Sequence, residues 1–313
     1  MVKNQFGNTS LKTAPIIFGG NVFGWTLDEQ QSHQVLDAFI DKGFNMIDTS
    51  NNYPRWVPGA TGLESETILG KWMQQRKSRD SYIIATKVGG KTTSRNTPNT
   101  SAKEIIREVE LSLKRLKTDY IDLYQLHYDQ EETPVAETLE AFNTLVQAGK
   151  VRYIGASNIS ASRLRASLDY ANTMGIPSYC SLQPLYNLYD RDIYEKNFRS
   201  LAASEQLAVT PYYSLASGFL TGKYTDNPAL RASERGKTIS KYFNHKGEIL
   251  LSNIQRIAES HQVSMSAVAL AWLLHQPTVT APIASATKAS HLEAFVEAST
   301  LQLSTWDLKL LSL

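Results

Sequence analysis

The chain has 313 residues, with 42% hydrophobic and 20% charged side chains and a net charge of +2. That balance excludes a disordered chain, and it favours neither nucleic acid nor an anionic membrane surface as partner. A single cysteine, Cys180, excludes an internal disulfide and a cysteine metal cluster, and no apolar run approaches the roughly 20 residues of a bilayer span. With a polar start lacking the apolar segment of a secretory signal, the expected location is the cytoplasm.

Taken in order, the chain alternates short aliphatic runs with amphipathic helices. Pro15–Gly20 reads as the first strand. Asp28 and Gln31 have capping-box spacing at the start of a helix that Gly43 ends. Asn45–Ile47 is the second strand, with Asp48 at its exit and Tyr53 five positions on, and Leu63–Gln75 is the second helix. Tyr82–Lys87 is the third strand, and Ser101 with Glu104 starts the next helix as a second capping box. Ile121–His127 is the fourth strand, followed by a helix from Thr133-Pro134 to Gly149.

Tyr153–Asn158 and the helix Ser160–Met174, stopped by Gly175, form the fifth unit. Tyr179–Gln183 and Tyr194–Glu205 form the sixth. Ala208–Tyr213 is the seventh strand, and a polar insertion over Ser217–Gly247 precedes helices at Glu248–Ser260 and Ser264–His275. Val279–Ala284 is the eighth strand and Lys288–Ala298 the last helix. Helices between successive strands require parallel pairing, and eight such units close into a (β/α)8 TIM barrel forming one domain over residues 1–313. The rival open sheet expects a G-x-G-x-x-G turn after strand one, and Phe18-Gly-Gly-Asn-Val-Phe-Gly24 does not fit it.

Barrel enzymes place their chemistry at the carboxyl ends of the strands. Asp48, Lys87, His127, Asn158, Gln183 and Tyr213 close strands two to seven. Rim solvation accounts for any one of them, but six at successive exits point to a site. Lys87 has two readings: a neutral amine for a Schiff base, or an ammonium that tunes a neighbouring acid. Asp48 nearby favours the ammonium, and Tyr53 is then the acid, its ionisation brought down from near pH 10 by the adjacent cation. His127 is expected to donate a hydrogen bond to a developing alkoxide. These groups contain no reducing agent, so a hydride donor must be bound.

Asp48 with Tyr53, Ala-Thr-Lys87-Val and Asp-Leu-Tyr-Gln-Leu-His127 together resemble the catalytic tetrad of the aldo-keto reductase family. Gly155-Ala-Ser-Asn158, Gln183-Pro-Leu-Tyr-Asn187 and the stretch Tyr213–Tyr224 resemble that family's cofactor segments, nearest its bacterial and potassium-channel-β-subunit branches. The resemblance implies NADPH-dependent reduction of an aldehyde or ketone, with a small-molecule carbonyl substrate as partner. It implies that Ser157, Asn158 and Gln183 hold the nicotinamide carboxamide and that the Tyr213 ring stacks on the nicotinamide, Tyr212 taking that role if the register slips by one. Ser214, Leu215, Ser217, Gly218 and Lys223 would follow the pyrophosphate. Gly20 and Asn21 would join Asp48 at the cofactor, and Ser285, Ala286, Thr287, Lys288 and His291 would take the adenosine end, Lys288 pairing with a 2′-phosphate. Trp25, Trp56, the Lys91–Thr100 loop, Tyr242 and Phe243 are expected to wall the substrate pocket, with the insertion as a lid. Two alternatives stand beside this: a barrel that binds NADPH as a sensor with negligible turnover, and a Schiff-base lyase acting through Lys87.

Overall fold

Aliphatic strands that bury both faces need cover inside and outside, and the chain provides it by rolling the sheet into a barrel. The computed structural model describes residues 1–224, 230 and 234–312. A short antiparallel hairpin, β1 (Asn4–Gln5) and β2 (Lys12–Thr13), comes first. The barrel strands are β3 (Ile17–Gly19), β4 (Met46–Asp48), β5 (Ile83–Val88), β6 (Ile121–Leu126), β7 (Val151–Ser157), β8 (Tyr179–Gln183), β9 (Ala208–Val209) and β10 (Ile283–Ala284). All pair in parallel in the order β10-β3-β4-β5-β6-β7-β8-β9. The amides of Thr280 and Ile283 donate to the carbonyls of Val209 and Pro211, each at 2.9 Å, and close the ring into a (β/α)8 barrel.

The helices are α1 (Glu29–Asp41), α2 (Glu64–Arg76), α3 (Ala102–Leu116), α4 (Val135–Gln147), α5 (Ala161–Met174), α6 (Asp192–Asn197), α7 (Arg199–Ser204), α8 (Glu234–Ile239), α9 (His245–His261), α10 (Met265–Leu274), α11 (Glu293–Thr300) and α12 (Thr305–Leu310). The Asp28 capping box forms in full. The one at Ser101 forms only in half: Ser101 Oγ accepts from the Glu104 amide, but the Glu104 carboxylate turns to Arg95 and Arg107, stronger partners than a backbone amide. The helix expected over Tyr194–Glu205 breaks at Phe198 into α6 and α7. Among the described residues no helix is long and apolar enough to cross a membrane.

Two departures matter for the site. The polar start folds into the β1–β2 hairpin, whose Phe6 and Leu11 pack on Ile17, Met46, Ile83, Ala85, Leu123, Cys180, Ala208, Ala281 and Ile283 and seal the amino-terminal floor of the barrel. The insertion expected at Ser217–Gly247 is partly ordered: a 3-10 turn spans Ala216–Thr221, followed by α8 and a second 3-10 turn at Ser240–Tyr242. Residues 225–229 and 231–233, which the lid expectation includes, lie outside the described residues.

Candidate active site

The strand register decides which side chains meet. Asp48 pairs with Ala85, Lys87 with Gln125, Gln125 with Gly155, and Ser157 with Gln183, so alternate residues of neighbouring strands point into the barrel at its carboxyl end. Lys87 Nζ donates to Asp48 Oδ2 at 2.5 Å, to the Thr49 carbonyl at 2.8 Å and to the Tyr53 hydroxyl at 3.3 Å. The other Asp48 oxygen, Oδ1, accepts from Gln125 Nε2 at 3.0 Å and Gln183 Nε2 at 2.9 Å. A Cβ at Gly155 would stand 2.2 Å from Ser181 Oγ and 3.2 Å from Gln125 Cγ, so glycine there leaves the space across which Gln125 reaches.

Lys87 is 0% exposed. Burial pulls its ammonium below the usual range, and the Asp48 carboxylate pulls it back. Direct contact with a carboxylate keeps the pair ionised, which removes the neutral amine that a Schiff-base role needs.

Tyr53 differs from expectation. Burial first, then the Asp48 charge, hold its hydroxyl well above the ordinary phenol range rather than below it. Burial is the main reason, and Asp48, paired with Lys87 at 2.5 Å, adds its negative charge beside the phenol. Tyr53 is therefore a protonated donor, with an ammonium within reach of its oxygen.

His127 is buried beside Tyr53, their ring centroids 5.7 Å apart. Burial, then Lys87 and Arg55, hold its imidazole well below the usual value, so the ring is neutral. Its Nδ1 lies 3.1 Å from Ser50 Oγ. Trp56, 44% exposed, packs edge-on against Tyr53 and Trp25 and forms an aromatic wall at the mouth. The loop after β5 is tied to this mouth by Asn52 Nδ2 on the Lys91 carbonyl. Tyr242 and Phe243, expected in the wall, pack on Phe219 instead, and the buried Tyr242 bonds Asp190, so both sit within the insertion.

The expected cofactor residues ring the same rim. Asn158 Nδ2 donates to the His127 carbonyl at 2.8 Å and to Ser157 Oγ at 3.1 Å, and its Oδ1 accepts from Tyr212 at 2.9 Å. Tyr212 is thus tied down, whereas Tyr213 is 50% exposed. Asn187 fixes the Tyr213 carbonyl at 3.0 Å. Tyr213, Ala216, Ser217 and Gly218 all have left-handed φ, and the Ala216 and Gly218 amides donate back to the Tyr213 and Leu215 carbonyls at 2.7 and 2.8 Å. Ser214 Oγ is buried and donates to the Pro211 carbonyl, and Leu215 is half-buried.

At the far end, Lys223 and Lys288 both press on His291, which together with burial lowers its imidazole. His291 Nδ1 lies 3.4 Å from the Thr287 amide and hydroxyl. Ser285 and Ala286 both make contacts within the barrel. Ser285 Oγ lies 2.7 Å from both the Gly19 carbonyl and Asn21 Oδ1, filling the space of the side chain Gly19 lacks. Ala286 is buried in the core. Gly20 lines the rim with a carbonyl that accepts from Ser65 at 2.7 Å.

Sequence reasoning missed Gln125, Ser50 and Asn52. Gln125 stands two residues before His127, the strand period that puts both on one face, and that spacing was its signal.

Comparison with known proteins agrees with this geometry. The family model for the Aldo/keto reductase family matches residues 15–312. The chain is 31% identical to Protein tas of Escherichia coli, over 97% of this chain and 94% of that one. It is 33% identical to the uncharacterized oxidoreductase YrpG of Bacillus subtilis, over 100% and 95%. It is 29% identical to a probable voltage-gated potassium channel subunit beta of Arabidopsis thaliana, over 95% and 91%. The match spans every barrel strand, and the chain belongs to the aldo/keto reductase family.

Proposed function

We propose that the protein is a cytoplasmic oxidoreductase that reduces aldehydes or ketones with NADPH. The observation that carries this reading is the Lys87 ammonium held between Asp48 and the Tyr53 hydroxyl.

The residues at the rim suit a nicotinamide dinucleotide. Both Asn158 amide hydrogens and the Gln183 amide are committed within the protein, which leaves Gln183 Oε1, and the second lone pair of the Asn158 Oδ1 that already accepts from Tyr212, as acceptors for the two N–H bonds of a carboxamide. The exposed Tyr213 offers a stacking face, and the Lys223 ammonium suits a pyrophosphate. Lys288 beside Thr287 suits a 2′-phosphate, the mark of NADPH. When bound, the dinucleotide supplies the hydride.

The chain's own residues handle the proton. Tyr53 donates its hydroxyl proton to the carbonyl oxygen, and the phenolate left behind faces the Lys87 ammonium. Asp48 keeps Lys87 charged, and Gln125 and Gln183 hold Asp48 in place. Trp25 and Trp56 exclude water and favour an apolar or aryl substrate.

The test is the loss of NADPH absorbance over a panel of aldehydes, comparing the wild type with Tyr53→Phe; equal rates would sink the role of Tyr53. A second reading, an NADPH-binding regulatory barrel with negligible turnover, draws on the relatives named as channel β subunits and on the high-lying Tyr53 phenol. Tight dinucleotide binding with no turnover of any carbonyl would select it.

A further inference from the structure

We infer that the Arg55 guanidinium receives a negative charge on the substrate, so that the site takes carbonyl compounds that also carry a carboxylate. This rests on the reductase reading above and narrows its substrate class.

Arg55 stands two residues beyond Tyr53 in the loop that follows β4, and its neighbour Trp56 packs on Tyr53 with ring centroids 5.4 Å apart. The loop is pinned there. The Arg55 amide donates to the Asn52 carbonyl at 2.9 Å, and Asn52 Nδ2 donates to the Lys91 carbonyl at 2.6 Å. Gly62 passes so close that a Cβ on it would stand 3.2 Å from Arg55 Cβ. The Arg55 side chain is half-buried, and the buried His127 imidazole feels its charge, as it feels that of Lys87.

Arg55 is set apart by its lack of a counter-ion. Lys87, the other cation acting on His127, is committed to Asp48. Arg95 and Arg107 pair with Glu104, and Arg115 pairs with Glu66. Among the described residues no carboxylate lies within ion-pair distance of Arg55, and no acceptor takes a hydrogen bond from its guanidinium. The next acid along the chain, Glu64, is occupied: Oε1 accepts from the Thr61 amide and hydroxyl at 2.7 and 2.8 Å, and Oε2 from the Gly62 amide at 2.9 Å. A guanidinium half withdrawn from water and left unpaired is unfavourable, and an arriving anion restores what burial removes. Its planar fork of N–H donors matches the two oxygens of a carboxylate. Trp56 on one side and Tyr128, whose ring centroid is 4.8 Å from that of His127, on the other keep water from the contact and strengthen it. In the reduction proposed above the carbonyl meets Tyr53, which leaves Arg55 for the other end of the same molecule.

The test sets an acid against its own methyl ester, which keeps the size and the carbonyl electronics but not the charge. 3- and 4-carboxybenzaldehyde are each compared with their esters, and kcat/KM in the wild type should favour at least one acid by about tenfold or more, the worth of one charge-assisted hydrogen bond. That preference should fall toward unity in Arg55→Gln, persist in part in Arg55→Lys and shrink with added salt. Wild-type ratios near unity for both acids overturn the inference. So does a ratio that Arg55→Gln leaves intact, the result of a merely structural role that moves acid and ester alike. A loss of NADPH affinity in Arg55→Gln as large as the loss of preference for the acid also overturns it, by giving the guanidinium to the cofactor's phosphates. Binding is read apart from turnover by calorimetry of 3- and 4-methylbenzoate and their methyl esters, which have no aldehyde to reduce, on the full chain with NADPH present. Should no carbonyl turn over, the reductase reading falls; an Arg55-dependent preference for a benzoate then still upholds the anion site, and its absence overturns that too.

Discussion

The Lys87 ammonium donates to the Tyr53 hydroxyl across 3.3 Å, yet burial first and then the Asp48 charge hold the phenol above its ordinary range. Tyr53 is thus held protonated, and in the proposed reduction its proton should matter to turnover and not to binding. Tyr53→Phe should lower kcat for carbonyl reduction by about 100-fold or more while leaving the dinucleotide Kd unchanged, as read by initial rates and fluorescence titration.

Among the described residues Lys87 is the only counter-charge in contact with Asp48, so its removal strands a buried carboxylate. Lys87→Met should destabilise the fold by about 3–5 kcal/mol in urea unfolding, and Lys87→Met with Asp48→Asn should recover a large part of that loss. Equal destabilisation of the single and double variants would contradict the pairing.

His127 is neutral when folded and has an ordinary imidazole, near 6.5, when unfolded. Below that value the unfolded chain takes up a proton that the folded chain refuses, so this part of the stability is present above about pH 6.5 and is lost as pH falls. His291 adds a drop of the same sign. Melting temperatures measured from pH 8 to pH 5 should therefore decline below about 6.5. His127→Gln should flatten the decline in part, with the His291 share remaining.

In the proposed binding mode, Lys288 meets the 2′-phosphate and Lys223 the pyrophosphate. Lys288→Ala should raise the Kd for NADPH about tenfold and leave NADH unchanged, since only the former has a 2′-phosphate. Lys223→Ala should weaken both. An equal effect of Lys288→Ala on the two nucleotides would remove its assignment.

Gly155 marks where the barrel has no slack. Gly155→Ala places a methyl against Ser181 Oγ and beneath Gln125, and overpacking of that kind costs about 1–3 kcal/mol. Pairing it with Ser181→Ala removes the atom in the way and should restore much of the loss in thermal unfolding.

Alternating aliphatic runs and helix caps were enough to read the barrel from the sequence, because both signals are local: Asp28 with Gln31 caps α1 wherever the helix later packs. The convergence of Asp48, Lys87, Tyr53 and His127 was legible for the same reason, each lying at the end of a strand or just past it. What stayed hidden depends on partners distant in sequence. The raised Tyr53 phenol follows from how deeply the folded chain buries it and then from the Asp48 charge beside it, and no spacing reveals either. Ser285 is drawn from the cofactor end by Gly19, 266 residues earlier. The β1–β2 hairpin reads as a polar tail because only Phe6 and Leu11 carry its packing.

The hairpin also gives the chain an internal gauge. Cys180 lies sealed beneath Phe6 and Leu11, its thiol pushed up to about 12 by burial. A thiol so sequestered is silent toward alkylating reagents while the stopper is seated, and it becomes reactive when the end of the barrel comes apart. The rate at which this one sulfur is labelled thus times how often the folded chain uncorks.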